Sequence, residues 1–438
     1  MASMKTILKC VPRDEVLKGH LKEEIFRASL NEIYGGQAED VYQNPDIFFS
    51  NTYVTDGLKT LANEALGRLT GNSPASSPVI RLETSFGGGK THNLIALYHL
   101  ATSKVSPGLV REWLGPDLLP KNPVNIACIV GSDLDPLNGM KHADVTTFTL
   151  WGELAYQLDG IKGYEKVKNS DIDKTSPGET TIKDLVGDRP TLILIDEFAR
   201  YHRVASGLKV GDQYLDKMTS SFLMALLGAV SGLKQAVVVY TLADSKDAFA
   251  QETAMFLESL KESYKVSARQ ERIITPTDEQ EIAPIVTQRM FKEINKSAAK
   301  EIAQTYHGFY SDLFNHNVEL PTNALTAVYC DEIASDYPFH PELLTTLNRK
   351  TATIPNFQKT RGALRLLALV IRQLWETQPK GVYLIHPWAL DLSVDDILND
   401  LTSRLEKAPF RHVAEADIVT PGRKALLARH TGCHRSTE

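Results

Sequence analysis

The sequence predicts an α/β fold in which a parallel β-sheet is covered by helices on both faces. Between residues 76 and 276, short apolar runs rich in β-forming residues alternate with segments of helical periodicity. The runs are apolar at nearly every position, which is typical of strands buried on both faces of a parallel sheet. Helical periodicity predominates in residues 1–75 and 277–400. We therefore expect a helical N-terminal extension, a sheet domain, a helical lid domain and a flexible tail over residues 401–438.

The N-terminal extension is predicted from two periodic segments. VLKGHLKEEIFRASLNEIY (16–34) and DGLKTLANEALGRL (56–69) repeat apolar residues at helical spacing on either side of an aromatic-rich stretch. GNSPASSP at 71–78 then combines Gly, Asn, Pro and Ser without apolar periodicity, which indicates a boundary.

The sheet domain is predicted from five strand-sized runs. They are PVIRLET (78–84), VNIACIVG (124–131), TLILIDE (191–197), AVVVYTLA (236–243) and RIITP (272–276). Each of the first four precedes a stretch able to form a helix, as the crossover connections of a parallel sheet require. Beyond residue 277 the strand signals fade, and helical segments follow: EQEIAPIVTQRMFKEI, PELLTTLNRKTA and GALRLLALVIRQLWE.

Composition and charge restrict the class of protein. The net charge of −6 gives no general attraction to nucleic acid, so a DNA contact would need a local basic patch. The longest uncharged apolar run, AVVVYTLA, is shorter than a membrane span, and the N-terminus lacks the apolar core of a signal peptide. The four cysteines are scattered singly, which fits a reducing compartment better than a disulfide framework. We expect a soluble cytoplasmic protein.

Residues 84–92, TSFGGGKTH, form a glycine-rich turn between a predicted strand and a predicted helix. In such a turn, main-chain N–H groups and the helix N-terminus face a bound phosphate chain. The pattern G-x-x-x-x-G-K-[ST] assigns Lys90 to the β- and γ-phosphates and the Thr91 hydroxyl to Mg²⁺. Thr84 replaces the first glycine of the pattern, which we expect to affect the first turn more than phosphate binding. The predicted nucleotide-binding residues are Phe86, Gly87, Gly88, Gly89, Lys90, Thr91 and His92.

Asp196 and Glu197 follow five apolar residues in TLILIDEFARY. Carboxylates at the end of a buried strand need a cation or hydrogen-bond donors, because their burial without a partner is costly. In P-loop enzymes, the first acid holds Mg²⁺ and the second polarises the attacking water. We therefore assign Asp196 to the metal and Glu197 to the general base, with ATP and Mg²⁺ as the ligands. The acid pair favours an ATPase over nucleotide kinases and GTPases, which usually lack the second acid.

The stretch AVVVYTLADS at 236–245 fits a strand that lies between the phosphate-loop strand and the acidic strand. A polar side chain where this strand emerges would stand beside the γ-phosphate and sense it. Thr241 is our candidate for that position. Asp244 and Ser245 remain alternatives, as does a plain strand-to-loop transition without a role in catalysis.

Two C-terminal stretches resemble parts of the AAA+ ATPases. The helical lid of those proteins carries a G-x-x-R arginine that reaches back to the γ-phosphate, and TRGALRLLAL contains Gly362 and Arg365 at this spacing. VSARQERIITP is similar to the stretch that precedes the lid in origin-recognition-type AAA+ proteins. The resemblance implies that Arg269, or Arg272 in its place, acts as an arginine finger on a neighbouring subunit, and hence that the protein is a homo-oligomer.

Several stretches resemble one bacterial family, the large ATP-binding proteins of domain-of-unknown-function (DUF) family 499. The stretches are YQNPDIFFSNTYVT, FGGGKTHNLIALYHL, TLWGELAYQL, LILIDE with FARY, YPFHPELL and FQKTRGALRLLA. Members are typically encoded beside DNA methyltransferases and helicase-like proteins in anti-phage or restriction-like gene clusters. The resemblance therefore implies an ATPase in a DNA-linked defence system. Because members generally continue well beyond the lid, we expect this chain to be truncated at its C-terminus.

The leading hypothesis is ATP hydrolysis by an AAA+ module, with Arg365 acting in cis and Arg269 or Arg272 in trans. The first alternative is a nucleotide-gated scaffold that binds ATP with negligible turnover and organises a methyltransferase or nuclease partner. A DNA translocase is disfavoured by the acidic net charge and the lack of helicase motifs. A small-molecule kinase is disfavoured by the acid pair and the lid arginine.

Overall fold

The chain divides into two compact units that are described separately. The computed structural model describes residues 6–18, 29–73, 75–84, 89–243, 253–254, 271–349, 360–402 and 409–420. We call residues 28–279 the sheet unit, and residues 1–27 together with 280–438 the helical unit.

The main sheet has five parallel strands and lies in the sheet unit. In chain order, the strands of the described residues are β1 (Val11–Pro12), β2 (Val79–Thr84), β3 (Asn125–Val130), β4 (Met140–Lys141), β5 (Thr146–Thr147), β6 (Thr191–Asp196), β7 (Lys209–Val210), β8 (Gln213–Tyr214), β9 (Ala236–Ala243), β10 (Glu271–Ile274) and β11 (Phe291–Glu293). The main sheet has the order β10-β2-β9-β6-β3. The antiparallel pairs β4–β5 and β7–β8 are short hairpins in the connections that follow β3 and β6.

Helices cover both faces of this sheet. Successive residues of a strand point to opposite faces, so a strand that is apolar throughout buries its side chains against helices on both sides. Leu194 of β6 packs in the same apolar cluster as Leu97. Its neighbour Ile195 packs in a second cluster with Leu154 and Phe222. The helices of the sheet unit are Leu30–Tyr34, Asp40–Gln43, Pro45–Ser50, Asp56–Thr70, Lys90–Ala101, Pro107–Val110, Leu150–Glu165, Lys168–Ile172, Glu179–Val186, Phe198–Ala205 and Leu215–Ser231.

The helical unit has its own apolar core, to which the N-terminal residues contribute. Ile7, Cys10 and Val16 are buried in the same cluster as residues of the C-terminal helices. The Ile7 amide donates to the Val382 carbonyl at 3.1 Å, and β1 pairs with β11. The helices of this unit are Asp14–Leu17, Ile282–Met290, Lys296–Asn315, Ala327–Asp336, Pro341–Arg349, Thr360–Thr377, Asp395–Thr402 and Pro409–Ala414.

The predicted parallel sheet with helices on both faces is confirmed, and all five predicted strands form. The N-terminal region differs from the prediction of one extension over residues 1–75. Its first part joins the helical unit, because its buried apolar residues pack there, and residues 29–73 pack in the sheet unit. The tail predicted from residue 401 includes the helix Pro409–Ala414. None of the described helices combines the length and the apolar character that a membrane-spanning helix needs.

Candidate functional site

Three neighbouring strands bring Thr84, at the start of the predicted phosphate loop, and the acid pair to one edge of the sheet. β9 lies between β2, which leads into the loop, and β6, which ends in Asp196. The register places Leu82 beside Thr241, and Ile195 beside Tyr240. Ligands of open parallel sheets bind beyond the carboxyl ends of the strands. The prediction that the strand 236–243 lies between the two motifs is therefore confirmed.

Gly89 ends the glycine-rich turn and precedes the helix Lys90–Ala101. Its φ of +92° lies in the left-handed region that favours glycine. A Cβ atom at Gly89 would also lie 2.9 Å from Oγ1 of Thr277, so only glycine fits here without a shift. Lys90 and Thr91 are half-buried in the first helical turn, where the helix dipole favours an anion. Phe86, Gly87 and Gly88, predicted to bind nucleotide, lie outside the described residues.

Asp196 is the centre of the hydrogen-bond network at this edge. Its side chain is 3% exposed, and Oδ2 accepts a 2.6 Å hydrogen bond from the Thr91 hydroxyl. Its other oxygen, Oδ1, accepts a 2.6 Å bond from the Thr241 hydroxyl. Burial raises the pKa of Asp196 above its ordinary value, and the bonds from both hydroxyls act in the opposite direction. The two predicted magnesium ligands, Thr91 and Asp196, are thus in direct contact.

Glu197 is held through its backbone. Its amide donates to Asp196 Oδ1 at 3.0 Å and to Thr241 Oγ1 at 2.9 Å. Its φ of 53° is left-handed, a conformation that non-glycine residues rarely adopt and that clusters at functional sites. Gly131 lies against its carbonyl, since a Cβ atom at position 131 would be 2.4 Å from the Glu197 oxygen. The acid pair and Thr241 therefore form one connected group.

The Glu197 carboxylate forms an ion pair one helical turn further along the chain. Its Oε2 lies 3.0 Å from Nη1 of Arg200, in the helix Phe198–Ala205 that follows the acid pair. Both side chains are more than a third exposed. Solvent screens a pair of this kind, so the contact orients the carboxylate without locking it.

His92 anchors the start of the loop helix to the N-terminal part of the sheet unit. Its Nε2 lies 2.9 Å from Oγ1 of Thr52, and its ring stacks on Phe48 with the centroids 4.5 Å apart. Both partners belong to the aromatic-rich stretch that precedes the first strand of the sheet. These contacts position the start of the helix Lys90–Ala101.

Two of the three arginines predicted to act on phosphate are paired with carboxylates. Arg272 of β10 contacts Glu64, a residue of the same unit. Arg365, in the helical unit, forms a bidentate pair with Asp400, in which Nη2 lies 3.0 Å from Oδ2. Arg269 lies outside the described residues, as do Asp244 and Ser245, the alternatives to Thr241.

The arrangement is suited to a divalent cation and a polyphosphate. A hydroxyl and a buried carboxylate are the oxygen ligands that Mg²⁺ prefers. Burial makes the ionised form of Asp196 unfavourable, which is why its pKa is raised, and a nearby cation would stabilise that form. The N-terminus of the helix that begins at Lys90, directly after Gly89, adds positive potential near Thr91.

Sequence reasoning missed two contributors to this edge. The predicted strand VNIACIVG ends at Gly131 without a role for this residue, although a strand glycine often marks a close backbone approach. Arg200 lies three residues after Glu197, and residues at this spacing are neighbours on a helix surface. Both signals are present in the sequence.

Comparison with known protein families assigns most of the chain to one family. The model of the DUF499 N-terminal domain matches residues 6–111 and 118–262. The model of the DUF499 second domain matches residues 277–432. The two models cover most of the chain, which therefore belongs to the DUF499 family. No curated protein matches it.

Proposed function

We propose that this member of the DUF499 family is a cytoplasmic ATPase of the AAA+ type that binds ATP with Mg²⁺ and hydrolyses it. One observation carries the proposal: the Thr91 hydroxyl, which follows the Gly-Lys of the phosphate loop, donates a 2.6 Å hydrogen bond to the buried Asp196 carboxylate. Two motifs that are 105 residues apart in the chain thus meet at the ligand-binding edge of a parallel sheet.

Thr91 and Asp196 would hold the magnesium ion. Bound there, Mg²⁺ would neutralise charge on the phosphates. In the protein itself, the Thr91–Asp196 hydrogen bond keeps the hydroxyl and the carboxylate together before any ligand arrives. Lys90 and the amides at the start of its helix would bind the phosphate oxygens.

Glu197 would accept the proton of the attacking water. Its fixed backbone places the start of the side chain beside Asp196, and rotation about its side-chain bonds then sets the position of the carboxylate. Positioned general bases typically contribute about 10²–10⁴ in rate. Thr241 would link the metal-binding carboxylate to the backbone of the base.

The sheet order supports the AAA+ type in particular. A strand that separates the phosphate-loop strand from the acidic strand distinguishes this branch of P-loop proteins from those in which the two strands are adjacent. β9 occupies that position. In an oligomer, Arg269 or Arg272 would act on the neighbour's nucleotide, and Arg272 would first have to leave Glu64.

We further propose that the ATPase serves a DNA-linked anti-phage or restriction-like complex, with a DNA methyltransferase or nuclease as its partner. The resemblance of the motifs to such proteins supports this context. The net charge of −6 is consistent with DNA contacts that are made by a local patch or by a partner.

The second candidate is the nucleotide-gated scaffold. The ion pairs favour it, because Glu197 is engaged by Arg200, and Arg365 by Asp400. A protein that kept these pairs in its working state would bind ATP and turn it over slowly.

Phosphate release decides between the two candidates. We expect Lys90→Ala to weaken ATP binding about 10–100-fold, the effect of losing a charged hydrogen bond. We expect Glu197→Gln to retain ATP and to lower the rate at least about 100-fold. Glu165→Gln is the matched control, since Glu165 also pairs with a cation three residues away, at 2.9 Å.

The second measurement is the mass of the protein by light scattering, in ATP and in ADP. ATP-dependent assembly with phosphate release at the background level of Lys90→Ala would favour the scaffold. A wild-type protein that neither binds ATP with Mg²⁺ nor releases phosphate would overturn both candidates.

A further inference from the structure

Arg200 lies in a position that the helix itself does not favour. It is the third residue of the helix Phe198–Ala205, in the first turn, where the positive end of the helix dipole disfavours a cation. The residue before the helix, Glu197, is acidic, which suits that end. In the part of the chain that the structure describes, however, the Glu197 side chain makes no capping bond to the helix. It contacts the Arg200 guanidinium instead, at 3.0 Å.

The backbone around Glu197 leaves few alternatives for the carboxylate. The Glu197 amide is hydrogen-bonded to Asp196 and Thr241, and Gly131 lies against the Glu197 carbonyl. The backbone torsions are therefore fixed, and only the side-chain torsions can move the carboxylate. The ion pair with Arg200 favours one of these side-chain states.

We propose that Arg200 is a positioning residue that keeps the Glu197 carboxylate paired and so restrains ATP hydrolysis. This inference rests on the proposed function, because it needs Glu197 to act as the base. In the resting protein the carboxylate is occupied by the guanidinium. It reaches the attacking water after the pair opens.

The exposure of the pair sets the size of the effect. The Arg200 side chain is 46% exposed and that of Glu197 is 38% exposed. Exposed pairs shift an equilibrium by at most about fivefold. The contact is therefore weak enough to open in each turnover, and its loss should change the rate by no more than about this factor.

Removal of the guanidinium tests the proposal. We expect Arg200→Ala to raise kcat for ATP hydrolysis about two- to fivefold with KM unchanged. Arg200→Lys, which keeps the positive charge, should have a kcat close to that of the wild type. Arg200→Gln, which keeps the length of the side chain without the charge, should behave as the alanine variant does. It replaces that variant if the shorter side chain prevents folding.

Arg189→Ala is the matched control, because Arg189 pairs with Asp159 at 3.6 Å with similar exposure of both side chains, in the same unit. It should leave kcat unchanged. A kcat of Arg200→Ala and Arg200→Gln at or below the wild-type value, in folded proteins, would overturn the inference. If the wild type hydrolyses no more ATP than Lys90→Ala and the Arg200 variants do the same, the proposed function fails as well.

Discussion

The Thr241 hydroxyl donates a 2.6 Å hydrogen bond to Oδ1 of Asp196 and accepts one from the Glu197 amide at 2.9 Å. Thr241 and Asp196 belong to neighbouring strands, so the hydroxyl connects the carboxylate proposed to hold the metal with the backbone of the proposed base. All three groups are buried or half-buried, where hydrogen bonds are stronger than in water. One hydroxyl thus fixes the relative position of both acids.

Replacement of this hydroxyl by a methyl group should separate catalysis from binding. We expect Thr241→Val to lower kcat about tenfold, because the Glu197 backbone loses one of its two bonds, and to leave the affinity for ATP nearly unchanged. The buried carboxylate also loses a donor, which should cost about 1–3 kcal/mol of stability. Phosphate release and urea unfolding measure the two effects.

Thr219→Val is the matched control, since Thr219 is a buried threonine of the same unit whose hydroxyl donates to the Leu215 carbonyl at 2.8 Å. It should lose some stability and keep its kcat. Equal kcat values for both variants would remove Thr241 from the catalytic group.

The buried carboxylate of Asp196 should make the ligand-free protein less stable than a neutral side chain would. Burial raises its pKa in the folded chain, so the stabilisation by the protonated form is complete below pH 4 and is lost as the pH rises through the folded value. We therefore expect Asp196→Asn to raise Tm at pH 7 by about 2–4 °C, the shift that about 1 kcal/mol produces in a domain of this size. The gain should disappear near pH 4.

The same variant should lose its response to the metal. We expect MgATP to raise the Tm of the wild type and to leave that of Asp196→Asn almost unchanged. Thermal melts with and without MgATP test this, with Asp159→Asn, at an exposed site, as the control. An Asp196→Asn protein that MgATP stabilises as much as the wild type would exclude Asp196 from the metal site.

The sheet and the central group of the site were predictable from the sequence for clear physical reasons. Strands buried on both faces are apolar throughout, so TLILID could be placed in a parallel sheet, and Asp196 at its carboxyl end. The contact between Thr91 and Asp196 then follows from the parallel strands, because their carboxyl ends share one edge.

Contacts between residues that are far apart in the chain left no comparable signal in the sequence. The pairing of Arg272 with Glu64 and of Arg365 with Asp400 depends on how the helices and strands pack. From the sequence alone, many other acidic residues could pair with these arginines equally well. The pairing of β1 with β11 joins strands of two and three residues, which are too short for an alternating pattern. The fold class can thus be predicted from local sequence patterns, whereas the partners of the arginines cannot.

The Arg365–Asp400 pair can be tested for a structural and a nucleotide-binding role at once. Both side chains are only 12% exposed, and removal of one partner leaves a nearly buried charge. We expect Arg365→Ala and Asp400→Ala each to lower the free energy of unfolding by about 3 kcal/mol. If Arg365 also acts on the γ-phosphate, Arg365→Ala alone should raise KM for ATP or lower kcat.

Asp400→Ala therefore serves as the control for stability. Urea unfolding and ATPase kinetics on both variants separate the roles. Equal KM and kcat values for the two would leave Arg365 with the structural role alone.

His340 should make the helical unit sensitive to acid. The Glu342 amide donates to its Nδ1 at 3.2 Å, so this nitrogen carries the lone pair, and Nε2 lies 3.1 Å from the Tyr310 hydroxyl. The ring also stacks on His386, with the centroids 4.4 Å apart. Protonation would place a hydrogen on Nδ1, against the Glu342 amide. Burial, with the charge of His386 as a smaller contribution, lowers the pKa of His340 to about 4.

Because the folded pKa is depressed, the unfolded chain binds the proton first, and stability falls as the pH drops from 6.5 towards 4. The difference between these values corresponds to about 3 kcal/mol at most. We expect His340→Gln, which cannot be protonated, to lose less stability than the wild type by about this amount between pH 7 and pH 4. Urea unfolding at several pH values measures it, with His316→Gln, at an exposed position of the same unit, as the control. The same pH dependence in the wild type and in His340→Gln would show that another group is responsible.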